Sequence, residues 1–224
     1  MPVFSLMVSI GICQSKDMKI VFLLEILGTV AFAVSGAIVG IQKKMDMFGV
    51  VILGLTTAVG GGVMRDLMLN ITPPAAFQRP VFSVVAIAVS LLIFMRSVRI
   101  ALEHKSRAYE NMLLIMDTIG LALFTVIGVE AAQDAIAERN LFLVTFVGVL
   151  TGVGGGVIRD VFAGITPSIF TKHFYACASI AGAWTCALLW TDELKIQAMF
   201  TGAVVTVMLR VLAAHYRWSL PKAK

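Results

Sequence analysis

Apolar residues in this chain come in long stretches separated by short polar ones. Seven such stretches emerge, at about 19–41, 48–70, 80–101, 111–132, 140–163, 173–191 and 196–214. Each is close to the roughly 20 apolar residues that carry an α-helix across hydrocarbon. The pattern predicts an all-α polytopic membrane protein with seven transmembrane helices. These spans use most of the chain and leave no room for a soluble domain. Residues 1–18 are read as an N-terminal extension: they lack a basic leading segment, and Ile12 before Cys13 is too bulky for a signal cleavage site. Met18 is an alternative start.

Within the apolar pattern one block of about 20 residues occurs twice. Gly54–Pro73 reads GLTTAVGGGVMRDLMLNITP and Gly148–Pro167 reads GVLTGVGGGVIRDVFAGITP, identical at about 12 of 20 positions and offset by about 94 residues. The duplication extends upstream, where Glu25, Gly28, Phe32 and Gly36 match Asp117, Gly120, Phe124 and Gly128 at an offset of about 92. The spans therefore divide into repeat 1 at 19–101, repeat 2 at 111–191, an unpaired seventh span at 196–214 and a basic C-terminal tail at 215–224. Three helices per copy is an odd number, so the second copy enters the membrane from the opposite side. The expected architecture is an inverted 3+3 repeat plus one extra C-terminal helix.

Composition agrees with this layout. Charged residues make up 14% of the chain, against about 25% in ordinary soluble domains, and the mean hydropathy is +0.94. Lys43, Lys44, Arg99, Lys105, Arg107, Lys172, Arg217, Lys222 and Lys224 fall on one face of the expected topology. Lys16, Lys19, Arg79, Arg139 and Lys195 fall on the other, diluted by Asp134, Glu138, Asp192 and Glu193. The richer face predicts a cytoplasmic C-terminus and an external N-terminus, in a cell (inner) membrane. The net charge of +5 calls for no nucleic-acid partner, and no soluble partner is indicated. Cys13, Cys177 and Cys186 show no disulfide pattern and read as small apolar residues.

The repeated block carries the candidate chemistry. Gly60, Gly61 and Gly62, and Gly154, Gly155 and Gly156, lie midway along spans 2 and 5. Three consecutive glycines make a kink or unwound turn the expected feature, and non-helical backbone at membrane depth survives only inside protein or beside a wet cavity. Close helix packing is the competing explanation. Thr57 and Thr151 precede the triplets and either line a polar path, as Thr56 would, or bond back to their own helix. Arg65, Asp66, Arg159 and Asp160 are intramembrane charges, read as a gate or a clamp. Neighbours on a helix do not face one another, so the expected pairs cross the pseudo-two-fold: Arg65 with Asp160 and Arg159 with Asp66. Glu25 and Asp117 are lone intramembrane acids that neutralise the arginines, attract cations or lie at a wet edge. Ile-Thr-Pro closes each block. The sequence shows no Walker loop, metal-spaced His/Cys cluster or Ser-His-Asp set. His104, His173 and His215 are scattered near membrane edges, and Trp184, Trp190 and Trp218 read as packing or interface anchors. No enzyme activity, cofactor or metal site is expected.

The doubled GGGVxRD followed by Ile-Thr-Pro, in a seven-span 3+3+1 layout, resembles the prokaryotic trimeric intracellular cation (TRIC) channels, also known as the UPF0126 or glycine transporter domain family. The resemblance runs from about Glu25 to the end of span 7. It implies a homotrimer in membrane lipid, with one pore per subunit beside spans 2 and 5, passing monovalent cations, mainly K⁺ with Na⁺ also possible. It places family roles on both glycine triplets and on Arg65, Asp66, Arg159 and Asp160. Animal members carry a Lys/Arg-rich signature that binds a phosphoinositide; residues 111–132 hold no such stretch, so that gating is not carried over. A secondary transporter of a small solute such as glycine is the alternative, with Glu25 and Asp117 as proton-coupling groups.

Overall fold

The computed structural model describes residues 2–95, 106–136, 140–171, 174–216 and 218, with the side chains of 2–16 and 106–108 left undescribed. Several sequence features lie outside that set: Arg99, Lys105, Glu138, Arg139, Lys172, Arg217, Lys222, Lys224, His104 and His173, and the side chains of Cys13, Lys16 and Arg107. Among the described residues all regular structure is helical. The helices are α1 (Pro2–Gln42), α2 (Met47–Met68), α3 (Ala75–Gln78), α4 (Val81–Phe94), α5 (Ser106–Ala135), α6 (Leu141–Phe162), α7 (Ser168–Thr171), α8 (Tyr175–Leu188) and α9 (Lys195–His215).

Among the described residues five stretches are long and apolar enough to cross a membrane: Asp17–Gln42, Met47–Met68, Tyr109–Ala135, Leu141–Phe162 and Lys195–His215. Where the sequence pattern suggests spans 3 and 6, the described helices α4 and α8 have 14 residues each, about 21 Å at 1.5 Å per residue. The segment expected to be an extension is helical, because α1 runs without interruption from Pro2.

The outward faces are apolar, with Leu92, Phe142, Phe200, Met208 and Val211 more than half exposed. Asp117, Arg159, Asp160 and Arg210 are all buried to 3% exposure or less. Apolar outside and charged inside reverses the arrangement of a water-soluble domain and suits a lipid solvent.

The packing falls into matched sets. Helices α1, α2 and α4 pack on one another, as do α5, α6 and α8; α1 meets α5, α2 meets α6, and α9 lies against α8 and α5. At the α1–α5 junction Phe32 and Phe124 stack with centroids 5.3 Å apart, each ring covering the glycine of the other helix, Gly120 and Gly28.

Both α2 and α6 begin and end alike. Asp46 accepts a hydrogen bond from the Gly49 amide at 2.7 Å and Asn140 from the Leu143 amide at 3.0 Å, each satisfying a first-turn donor. At the other end Asn70 and Gly164 adopt left-handed backbone with φ of 57° and 64°. The Ile71 amide then reaches the Asp66 carbonyl, and the Ile165 amide the Asp160 carbonyl, at 2.8 and 3.0 Å. This is the six-to-one bond of a Schellman cap.

Candidate functional site: two buried charge clusters beside the glycine triplets

The expected glycine breaks are absent. Helices α2 and α6 continue through Gly60–Gly62 and Gly154–Gly156. The triplets serve a close crossing instead, because without Cβ atoms the two backbones can touch. A Cβ on Gly61 would lie 2.2 Å from the Thr151 carbonyl oxygen, and one on Gly155 2.3 Å from the Thr57 carbonyl oxygen. Gly60 and Gly154 receive the side chains of Ile158 and Met64. Each contact on one helix thus has its counterpart on the other. Continuous i→i−4 bonding keeps every peptide group satisfied, which in hydrocarbon outweighs the roughly 1 kcal/mol that glycine costs a helix.

Thr57 and Thr151 are fully buried and donate to their own helix, to the Leu53 carbonyl at 2.5 Å and the Val147 carbonyl at 2.7 Å. Thr56 does the same toward Ile52 at 2.8 Å. Thr57 and Thr151 also fill the space over Gly36 and Gly128.

The expected cross-pairs do not form. Arg65 Nε lies 2.8 Å from Asp66 Oδ1, and Arg159 Nε lies 2.9 Å from Asp160 Oδ1. The rule that helix neighbours diverge holds for short side chains. Arginine has three methylenes before its planar head and folds back along the helix surface. The aspartates are aimed by their other oxygen, which accepts from the first amides of the following short helices: Asp66 Oδ2 from Ala75 at 2.7 Å, and Asp160 Oδ2 from Ser168 at 2.6 Å. Those amides have no partner inside their own helix. Each Arg-Asp pair thereby ties the end of a long helix to the Ile-Thr-Pro loop.

Beyond this shared frame the two clusters differ. Around Arg159, Nη1 lies 2.6 Å from Asp117 Oδ1 and also donates to the Ser35 hydroxyl. Asp117 further receives the Tyr175 hydroxyl at 3.4 Å and Arg210 Nη2 at 3.5 Å. Two carboxylates face two guanidiniums, and the space beside Gly156 is taken up by Tyr175, Arg159 and Asp117. Around Arg65 there is room. A cavity of about 40 Å³ is lined by Glu25, Thr29, Gly62, Arg65 and Asp66, with Phe82 and Phe124 among its apolar walls. Its lining holds two carboxylates and one arginine; exposed Arg79 adds a counter-charge within electrostatic range of Glu25. The nearest atom that a Cβ on Gly62 would meet is Arg65 Nη2, at 4.0 Å.

The structure thus joins Asp117, Arg159 and Asp160 directly, and groups Glu25, Arg65 and Asp66 around the cavity. It adds three residues that the sequence reading did not single out: Ser35, Tyr175 and Arg210. Arg210 was legible, being an ionisable residue inside the seventh apolar stretch.

Both halves of the chain, residues 22–97 and 114–191, match the protein family described as Glycine transporter. The chain belongs to the TRIC/UPF0126 family. The UPF0126 inner membrane protein YadS of Escherichia coli is 38% identical over 204 residues, covering 90% of this chain and 95% of that protein. Two solved TRIC structures share the architecture. One, from work on conductance through TRIC cation channels, is 35% identical, covers 90% of this chain and 96% of its own, and has a TM-score of 0.76. The other, the trimeric intracellular cation channel orthologue from Rhodobacter sphaeroides, is 30% identical, covers 89% and 99%, and has a TM-score of 0.79.

Proposed function

We propose that the protein is a monovalent cation channel of the inner membrane, passing mainly K⁺, with one path in each subunit of a homotrimer. Seven spans form an inverted 3+3 repeat, with α4 and α8 as the short third and sixth spans and α9 as the seventh, the C-terminus being cytoplasmic. The path follows α2 and α6, and the Arg-Asp pairs stabilise its walls. The observation that carries this reading is the cavity beside Gly62, where Glu25 and Asp66 outnumber Arg65 next to a helix crossing. Within the lining carboxylates exceed guanidiniums, which concentrates cations; Arg79 is exposed and outside the lining, where screening weakens its counter-charge. Likeness to the TRIC cation channels supports the same reading. Selectivity rests on this charge and on width, since the chain has no TVGYG-type carbonyl filter.

Purified protein in planar bilayers tests it. Unitary K⁺ currents are expected, and Glu25→Gln should reduce them about twofold or more by removing the attracting charge. The family description as a glycine transporter favours one alternative, a carrier using the same cavity. Absence of conductance together with saturable, proton-dependent uptake of glycine would establish the carrier and sink the channel.

A further inference from the structure

Arg210 is the one charge in these two clusters that comes from outside the internal duplication. It sits on α9, the helix without a counterpart, and is 3% exposed. Its contacts are poor for so deep a charge. Nη2 reaches Asp117 Oδ2 only at 3.5 Å, the guanidinium carbon lies 4.6 Å from the Tyr175 ring centroid, and Nε has no acceptor among the described residues. A well-made guanidinium–carboxylate pair closes to about 2.7–2.9 Å and is often bidentate. A buried donor left unpaired costs free energy rather than supplying it. A closed ion pair therefore does not account for this placement.

Its effect on the charge pattern does. Without Arg210 the second cluster would hold Asp117, Asp160 and Arg159, the same balance as Glu25, Asp66 and Arg65 lining the first. With Arg210 the second cluster is neutral. The packing follows the same division. Ser90 lies over Gly54 and Ala183 over Gly148; eight residues earlier on those helices stand Phe82 and Tyr175. Phe82 lines the open cavity, whereas the Tyr175 hydroxyl closes on Gly156 and its ring carries Arg210.

We propose that Arg210 is a tethered cation: it occupies the Asp117 carboxylate in place of a permeating ion and holds the second cluster shut, and its long contact to Asp117 and free Nε leave it able to withdraw. This rests on the cation-path reading above. The weak hold on Asp117 and the partner-free donor are what a releasable latch needs, since a bidentate clamp would lock the site.

The test uses the full chain in bilayers under symmetrical KCl, comparing wild type with R210Q, R210K and the double variant R210Q/D117N. R210Q is expected to raise open probability about threefold or more, because an unpaired negative charge then faces the path. R210K keeps the cation and should stay near wild type. R210Q/D117N restores neutrality and should fall back toward wild type, a reversal that loosened packing alone would not give. Tyr175→Leu removes the ring beneath Arg210 while leaving all four charges, and should raise open probability by a smaller factor; it carries the test should R210Q fail to fold. Wild-type current with R210Q and Tyr175→Leu unchanged or reduced overturns the latch and leaves the channel reading standing. So does a double variant that behaves like R210Q. Silence of both wild type and R210Q overturns the channel reading, and the latch with it.

Discussion

Around Arg65 the lining holds two carboxylates, one guanidinium and a cavity of about 40 Å³. Around Arg159 two carboxylates meet two guanidiniums, and Tyr175 occupies the space. The frames that carry them are nearly the same, with equivalent N-caps, Schellman ends, glycine crossings and aspartate ties to the next short helix. An internal duplication thus reproduces backbone geometry while a few substitutions decide whether a buried site is open or filled. The difference comes down to Phe82 against Tyr175 and to the presence of α9 on one side.

The largest break in the comparison should come from its acids. Asp117→Asn leaves Arg210 without a carboxylate and weakens the hold on Arg159, which keeps Asp160; removing one partner of a buried pair costs about 3–5 kcal/mol. Glu25→Gln, in the open cluster, should cost less than about 1 kcal/mol because Glu25 is only partly buried and makes no ion pair among the described residues. Thermal unfolding in detergent reads both, and equal losses would mean that the clusters are not different in kind. Adding R210Q to Asp117→Asn should recover part of the loss, a non-additive result expected of groups in one network.

Next are the glycines. Gly61→Ala and Gly155→Ala place a methyl 2.2 and 2.3 Å from a backbone carbonyl oxygen, and overpacking of this kind costs about 1–3 kcal/mol. Gly62→Ala meets nothing closer than 4.0 Å and should be neutral. Gly156→Ala must displace the Tyr175 hydroxyl at 2.7 Å and should lie between them. A destabilised Gly62→Ala would show that the first cluster is closed in the membrane.

The caps serve as a control. Asp46→Ala and Asn140→Ala should each cost about 1 kcal/mol, equally in the two halves, because each removes a single first-turn bond. Smallest is Lys195→Ala at the start of α9. Its amine lies 2.8 Å from Glu130 and 3.3 Å from Asp134, and the side chain remains 20% exposed, so the expected change is under about 1 kcal/mol.

Much of this arrangement was legible in one dimension. Apolar stretches located the long helices, because hydrocarbon admits only backbone that bonds to itself. The doubled block located both clusters, and matching Glu25 to Asp117 put an acid near each arginine. The shape of the glycine segments was not legible. A triplet permits either an unwound turn or a close crossing, and the carbonyls of Thr57 and Thr151 decide for the crossing by approaching from the other helix. The arginine partners were also out of reach, because Arg65 and Arg159 fold back onto Asp66 and Asp160 only once the amides of Ala75 and Ser168 have aimed those carboxylates.

The sequence by itself determined the solvent, the five long helices, the duplicated block and the residues that carry charge. These follow from local composition and from self-similarity, which need no folded coordinates. Only the tertiary structure decided that one cluster is open and the other filled. That outcome depends on where α9 docks and on which side chain stands eight residues before Ser90 or Ala183. A charge 93 positions from Asp117 meets it through packing alone, and no pattern along the chain encodes such a meeting.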